Sequence, residues 1–200
     1  MEFDLTGEHQ RYAYKLLAGL VTPRPIAWVT TQDEEGRVNA APFSFFNVFG
    51  TRPPILGFAP GDKEPGIPKD TARNIRRSGE FVVNLVDADC AEAMNQTSAE
   101  VEFGVSEIEL TGLHTEPSIG IAPPRIAEAP VSLECREWST LEIGRNRLVI
   151  GLIDRIHTRE GVLDPETLLV NPENFAPIGR MEVPSGYCHT DDRFQMPRPE

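Results

Sequence analysis

The stretch ILGFAPGDKEPGIPKDTARNI, residues 55–75, has the residue types of a phosphate-binding loop. An apolar run leads into two glycines, and a lysine, a threonine and a predicted helix follow. A triphosphate loop needs its lysine directly after the second glycine, because the ammonium group must reach the terminal phosphates. Here two residues separate Gly66 from Lys69, and Asp70 stands where Ser or Thr is required. The spacing excludes a triphosphate-binding loop, but it does not exclude a binding site for another kind of phosphate group.

The segment KDTARNIRR, residues 69–77, is locally cationic. It carries four basic residues and one acidic residue within a chain whose formal net charge is −12. The free N–H groups and dipole of a helix N-terminus, together with Lys69 and Thr71, could bind one phosphate. The alternative is a solvated helix face with ordinary surface arginines.

The segment NAAPFSFFNVFG, residues 39–50, interleaves polar and aromatic residues. Ala41 keeps a side chain short where a flat ring could approach the backbone, and Ser44 and Asn47 could hydrogen-bond to a polar ring edge. The alternative is a core strand, which explains the phenylalanines but explains the interleaved polar residues less well.

Other candidate chemistry is weaker. His157 ends the predicted strand LVIGLIDRIH, where polar side chains face loops and clefts, and it either contacts a substrate or is simply exposed or hydrogen-bonded. Cys188 and His189 are adjacent and point apart in extended chain without a third ligand, so no metal site is predicted. The sequence contains no nucleophile-elbow, dinucleotide or zinc-protease motif.

Composition narrows the functional classes. A chain of 200 residues suits one domain with a real core, and a pI near 4.8 argues against nucleic acid and anionic membrane surfaces as partners. Three widely spaced cysteines argue against a disulfide framework, and from the acidic start MEFDLTGEHQ we expect no signal peptide. We expect a cytoplasmic protein.

Short helices and strands must position these segments. The spacing of apolar residues predicts a helix over 7–21 with Thr6 as its N-cap, and then a hairpin from IAWVTTQ and RVNAAPFSFF. PPILGF and EFVVNLVD are predicted strands, and ADCAEAMNQTS is a predicted helix. KDTARNIRRSG is predicted as a helix with Asp70 or Thr71 as its cap and Gly79 at its end.

The second half of the chain is also rich in predicted strands. APVSLECREWSTLEI and NRLVIGLIDRIHTREG are predicted to form a second hairpin, whereas residues 99–125 and the Pro-rich tail 172–200 look irregular. Because strands and helices do not alternate regularly, a mainly β fold with a small closed antiparallel barrel is favoured over a doubly wound sheet.

The order of these motifs resembles the flavin reductase-like family of FMN-binding split-barrel proteins. From about Pro23 to His157, the motifs in order are TPRPIAWVTT, NAAPFSFFN, PPILGF, KDTARNI, EFVVNLV, MNQTS, PPRIAEAPVSLEC and GLIDRIH. The resemblance implies one domain over 1–200, a six-stranded antiparallel split β-barrel with short helices. It also implies a homodimer with flavin at the dimer interface.

The resemblance implies FMN as the cofactor, less often FAD, and assigns residues to it. The ring would be lined by Ala41, Ser44, Phe45 and Asn47, the phosphate held by Lys69 and Thr71 with Arg73 and Asn74 nearby, and the same cavity bordered by Arg24 and Pro25. His157 matches the position where some relatives meet the nicotinamide donor. Residues 61–68 form a longer and more Pro-rich segment than a minimal phosphate turn, and could reach over the ring or alter access.

The activity that the resemblance implies is electron transfer from NADH or NADPH through the flavin, with the chemistry residing in the cofactor. The acceptor would be a free flavin, a partner monooxygenase or a small oxidised compound. Two alternatives stay open: an FMN-binding electron carrier without nicotinamide activity, and a non-catalytic split-barrel binding module.

Overall fold

A computed structural model describes residues 1–199. The strands are β1 (Ala27–Gln32), β2 (Val38–Phe43), β3 (Phe46–Thr51), β4 (Pro54–Phe58), β5 (Asp62–Glu64), β6 (Ile67–Pro68), β7 (Glu80–Leu85), β8 (Thr115–Glu116), β9 (Arg125–Ile126), β10 (Val131–Ile143), β11 (Asn146–Thr158), β12 (Gly179–Arg180) and β13 (Tyr187–Cys188). The helices are α1 (Ala13–Leu20), α2 (Asp70–Ser78), α3 (Ala91–Gln96) and α4 (Glu107–Thr111), and a 3₁₀ turn spans Gln10–Tyr12.

Seven strands form one antiparallel sheet in the order β2-β1-β7-β10-β11-β4-β3. The two outermost strands, β2 and β3, follow each other in the chain and are separated only by Ser44 and Phe45. Because so short a connection holds the two edges close together, the sheet must curl round on itself. The result is the split barrel that the sequence predicts, mainly β with a few short helices.

The two predicted hairpins supply most of the sheet. β1 pairs with β2 from Ala27↔Phe43 to Gln32↔Val38, across a turn in which Gly36 has φ 84°. β10 and β11 are 13 residues each and pair along their length, with two register shifts. Both hairpins are confirmed.

The strands carry one apolar cluster on each face of the sheet. Because successive strand residues point to opposite faces, Val29 joins the cluster around Phe58 and Phe81, whereas its neighbour Trp28 joins the cluster with Met94. Ile75 of α2 packs into the first cluster, and this contact seats α2 against the barrel.

Gly151 on β11 leaves room for the ring of Phe81. A Cβ built at Gly151 would lie 2.4 Å from Cζ of Phe81, which is fully buried. We expect Gly151→Ala to lower the free energy of unfolding by about 2 kcal/mol, because the ring has to shift within a packed core. Gly61→Ala is the control, since a Cβ there meets nothing within 4 Å. Equal urea midpoints for the two variants would contradict this packing.

Several predicted element boundaries were wrong. The N-terminal α-helix begins at Ala13 rather than near residue 7, and Thr6 does not cap it, because its N–H and hydroxyl both donate to the Asp4 carboxylate. The N-cap of α2 is Lys69, one residue before the predicted Asp70 or Thr71, while Gly79 ends the helix with φ 69° as predicted.

The predicted strand RVNAAPFSFF is in fact two strands. The chain bends at Ser44 and Phe45, so β3 becomes a separate edge strand, and the sheet has seven strands instead of six. The stretch 99–125, predicted as irregular, contains α4 and the short β8–β9 ribbon, and the Pro-rich tail contains the β12–β13 ribbon. Within residues 1–199, no helix is both long and apolar enough to cross a membrane.

Candidate functional site

The N-terminus of α2 is open to an anion. Its N-cap, Lys69, is extended, with φ −63° and ψ 159°, and no side chain caps the helix. The first N–H groups of a helix have no intrahelical acceptor, and they carry the positive end of its dipole. The cationic segment of the sequence therefore begins with uncapped backbone donors.

Two buried hydrogen bonds fix α2 to the hairpin β1–β2. Nδ2 of Asn39 donates to Oγ1 of Thr71 at 3.1 Å, and Nδ2 of Asn74 donates to Oγ1 of Thr31 at 3.1 Å. Because the Thr71 oxygen accepts the bond from Asn39, its hydroxyl hydrogen is available to donate to a ligand. Asn74 therefore has an indirect role, because its side chain holds α2 in position on the hairpin.

A cavity of about 120 Å³, here called the α2 cavity, lies at this helix start. It brings together three residues assigned by sequence: Ala41, Lys69 and Thr71. Within residues 1–199 the Lys69 ammonium makes no ion pair or hydrogen bond, and its nearest aromatic contact is the Phe43 ring, with the centroid 5.9 Å away. This ammonium group and the helix N–H groups at the cavity suit a small anion.

Three carboxyl groups also line the α2 cavity, those of Asp70, Glu100 and Glu107, and two of them have a raised pKa. Burial raises the pKa of Asp70, an effect that Arg73 opposes from 3.5 Å. Burial also raises the pKa of Glu107, whose Oε2 accepts the N–H of Ala40 at 3.0 Å. Both groups therefore hold a proton more readily than a free carboxyl group does.

The 61–68 segment forms part of the cavity wall. Lys63 from β5 lines the α2 cavity, and its Nζ donates to the carbonyl of Val101 at 2.7 Å. Asp62 of the same strand pairs with Arg147 on β11 at 3.1 Å, which ties the segment to the long hairpin. The extra length of this segment thus brings a second lysine to the site.

A second cavity of about 240 Å³ adjoins the first and shares Asn39, Asp70 and Phe103 with it. The predicted residues Arg73 and Asn74 lie here rather than in the α2 cavity. The Arg73 guanidinium stacks on the Phe103 ring, 4.5 Å from its centroid.

Arg24, Ser44 and Phe45 form a separate group at the bend between β2 and β3. Nε of Arg24 donates to Oγ of Ser44 at 3.3 Å, and its guanidinium lies over the Phe45 ring at 5.8 Å. Pro25 and Arg24 line an apolar cavity of about 290 Å³ on the tail side. Ala41 and Ser44 are about 10 Å apart along extended chain, so one elongated ligand could contact both groups.

Asn47 and His157 lie outside the lining of the α2 cavity. Asn47 is exposed on β3, where its Oδ1 accepts the N–H of Val48 at 2.8 Å. His157 contacts the fully buried Glu134 through Nε2 at 2.6 Å. Burial opposes ionisation of Glu134, but its bonds to two backbone N–H groups and to His157 outweigh burial and lower its pKa.

Among the lining residues that sequence reasoning did not assign are Asn39, Lys63, Phe103 and Glu107. Asn39 carried a usable signal, since it starts the motif NAAPFSFFN that the ring assignment used. Lys63 lies in the 61–68 segment, whose unusual length was itself a signal, whereas Phe103 and Glu107 come from a stretch without a recognisable pattern.

Relatives and solved structures similar to this chain cover nearly all of it. An uncharacterised protein of Deinococcus radiodurans is 43% identical over 98% of this chain and 88% of its own length. A 2-nitrobenzoate 2-nitroreductase from Pseudomonas fluorescens is 38% identical with a TM-score of 0.90, covering 100% of this chain and 96% of its own. A nitrilotriacetate monooxygenase component B from Bacillus cereus is 31% identical with a TM-score of 0.92, covering 98% of each.

The family model for the flavin reductase like domain matches residues 19–179, which include the whole seven-stranded sheet and α2. The match spans well over half of the chain, and it agrees with the split-barrel architecture and with the motif order read from the sequence. The chain belongs to the flavin reductase-like family.

Proposed function

We propose that this protein is an FMN-binding oxidoreductase that takes electrons from a reduced nicotinamide and delivers them to a second acceptor. The observation that carries the proposal is the α2 cavity, where an ammonium group without a partner among residues 1–199, a free hydroxyl hydrogen and uncapped helix N–H groups converge. A flavin mononucleotide offers one phosphate to such a site. When bound, the flavin supplies the redox chemistry.

The residues of this chain fit that cofactor. Lys69 and Thr71 would hold the phosphate, Ala41 would allow the ligand to pass close to β2, and Ser44 would present a hydroxyl held in place by Arg24. The donors at the start of α2 suit one terminal phosphate, which FMN supplies.

The acceptor is proposed by similarity. The nitroreductase relative suggests a small oxidised compound, and the monooxygenase component suggests a partner oxygenase. Electron delivery to either one requires no nucleophilic side chain.

A homodimer is part of the proposal. Large apolar side chains are exposed on β3 and on the outer half of β10, including Phe49 at 65%, Trp138 at 69% and Ile143 at 64%. Exposed apolar surface of this kind marks interaction sites. A second copy covering it would bury these side chains near the proposed ring contacts of β3.

The test is the visible spectrum of the purified protein reconstituted with FMN, recorded without oxygen before and after NADH or NADPH is added. We expect a flavin band that bleaches with at least one donor. A band that survives both donors would overturn the reductase and favour an electron carrier. Failure to bind FMN at all would overturn both flavin hypotheses and favour a non-catalytic binding module.

A further inference from the structure

The carboxyl group of Glu107 lies in the cavity proposed to bind phosphate, where an ionised carboxylate would repel the ligand. Its side chain is 6% exposed, and it lines the same 120 Å³ cavity as Lys69 and Thr71. Oε2 accepts the N–H of Ala40, while Oε1 makes no hydrogen bond to any of residues 1–199 and is not among the fully enclosed unpaired atoms. Oε1 therefore faces the cavity.

With this acid ionised, the charged groups around the cavity leave no net positive charge. Lys63 faces it from β5, Lys69 and Asp70 from the start of α2, Glu100 from the segment after α3, and Glu107 from α4. Arg73 reaches Asp70 from the adjoining cavity at 3.5 Å, so three cations meet three carboxyl groups. If all of them were ionised, a doubly charged phosphate would enter a space with no net positive charge to balance it, at a cost that rises as water is displaced.

We propose that phosphate binding in the α2 cavity is proton-linked, with one proton shared between Oε1 of Glu107 and an oxygen of the ligand phosphate. The inference rests on the proposed binding of a flavin phosphate at Lys69 and Thr71. The shared proton turns repulsion into a charge-assisted hydrogen bond, which is short and strong between oxygens. Glu107 is then a residue that makes binding of the phosphate monoester depend on a proton.

The direction of the pH dependence follows from this proton. Burial already raises the pKa of Glu107, so the site holds the proton more readily than solvent does. As the pH rises, both Glu107 and the ligand phosphate, whose second pKa is about 6, lose protons. FMN affinity is therefore expected to fall with rising pH, whereas riboflavin, which lacks the phosphate, should show no such fall.

The decisive measurement is titration calorimetry of FMN binding at about pH 7.5, above the second phosphate pKa of about 6, in buffers of different ionisation enthalpy. The dependence of heat on buffer counts the protons taken up. We expect roughly one proton per FMN and none per riboflavin for the natural protein, and an uptake near zero for Glu107→Gln, which can donate to the phosphate without titrating.

Glu109→Gln is the matched control, because Glu109 lies on α4 but is exposed and does not line the cavity. It should bind FMN with the same proton uptake as the natural protein. FMN binding without proton uptake, or equal uptake in Glu107→Gln, would overturn this inference while leaving the proposed function intact. No FMN binding at all would overturn the proposed function itself. If Glu107→Gln does not fold, equal uptake for FMN and riboflavin in the natural protein still overturns the inference.

Discussion

Replacing Lys69 with alanine is expected to weaken FMN binding roughly tenfold at physiological salt, and by more at low salt. The ammonium group makes no ion pair or hydrogen bond among residues 1–199, so its loss removes a phosphate contact without freeing a buried acid. Lys69 is solvent-exposed, so we expect the loss of FMN affinity to be smaller than for a buried charge-assisted hydrogen bond. Fluorescence quenching of FMN on binding measures the dissociation constant.

Adding Thr71→Ala should extend the loss to roughly a hundredfold, because the buried hydroxyl is the second proposed phosphate donor. Arg76→Ala is the charge-matched control on the same helix, since Arg76 is exposed, lies outside the α2 cavity and pairs with Glu142 on the long hairpin. Riboflavin affinity should be nearly unchanged in every variant. An equal loss in Lys69→Ala and Arg76→Ala would show that the helix attracts anions only through its general charge.

Replacing Arg24 with alanine is expected to lower the free energy of unfolding by about 3 kcal/mol. Arg24 is 6% exposed, and its guanidinium donates to the carbonyls of Ala18, Val21 at 2.8 Å and Met181 at 2.9 Å, as well as to Ser44. Alanine would leave the buried Ala18 carbonyl and the partly buried oxygens of Val21, Met181 and Ser44 without this donor. One side chain thus joins the end of α1, the tail and the bend before β3.

Urea denaturation without flavin measures this effect. Arg24→Lys should recover part of the stability, because one ammonium group can satisfy some of the carbonyls but cannot span them all. Arg145→Ala is the control, since Arg145 lies exposed at the turn of the long hairpin. If Arg24→Ala kept full stability and lost FMN affinity instead, Arg24 would be a direct ligand, as the family resemblance implies, rather than a structural anchor.

Local sequence patterns were sufficient to predict most strands and the helix at the site. The alternating apolar residues of β1, β2 and β7, the long hairpin β10–β11 and the Gly79 end of α2 all depend on residues close together in the chain. The predicted element boundaries were wrong where a local hydrogen bond or a bend in the chain overrode the pattern of apolar residues. Thr6 bonds to Asp4 instead of capping a helix, and the bend at Ser44 divides a continuous apolar run.

The sequence by itself determined the family and the split barrel. It also determined that Lys69 and Thr71 lie together, because both stand at the start of one helix and need no distant contact to meet. Only the tertiary structure decided what surrounds them. Lys63 reaches the cavity because Asp62 pairs with Arg147 on the long hairpin, and Glu107 reaches it because α4 packs on β2. Such contacts depend on how the sheet curls, which no local spacing records, so the acid beside the phosphate site could only be found in the folded chain.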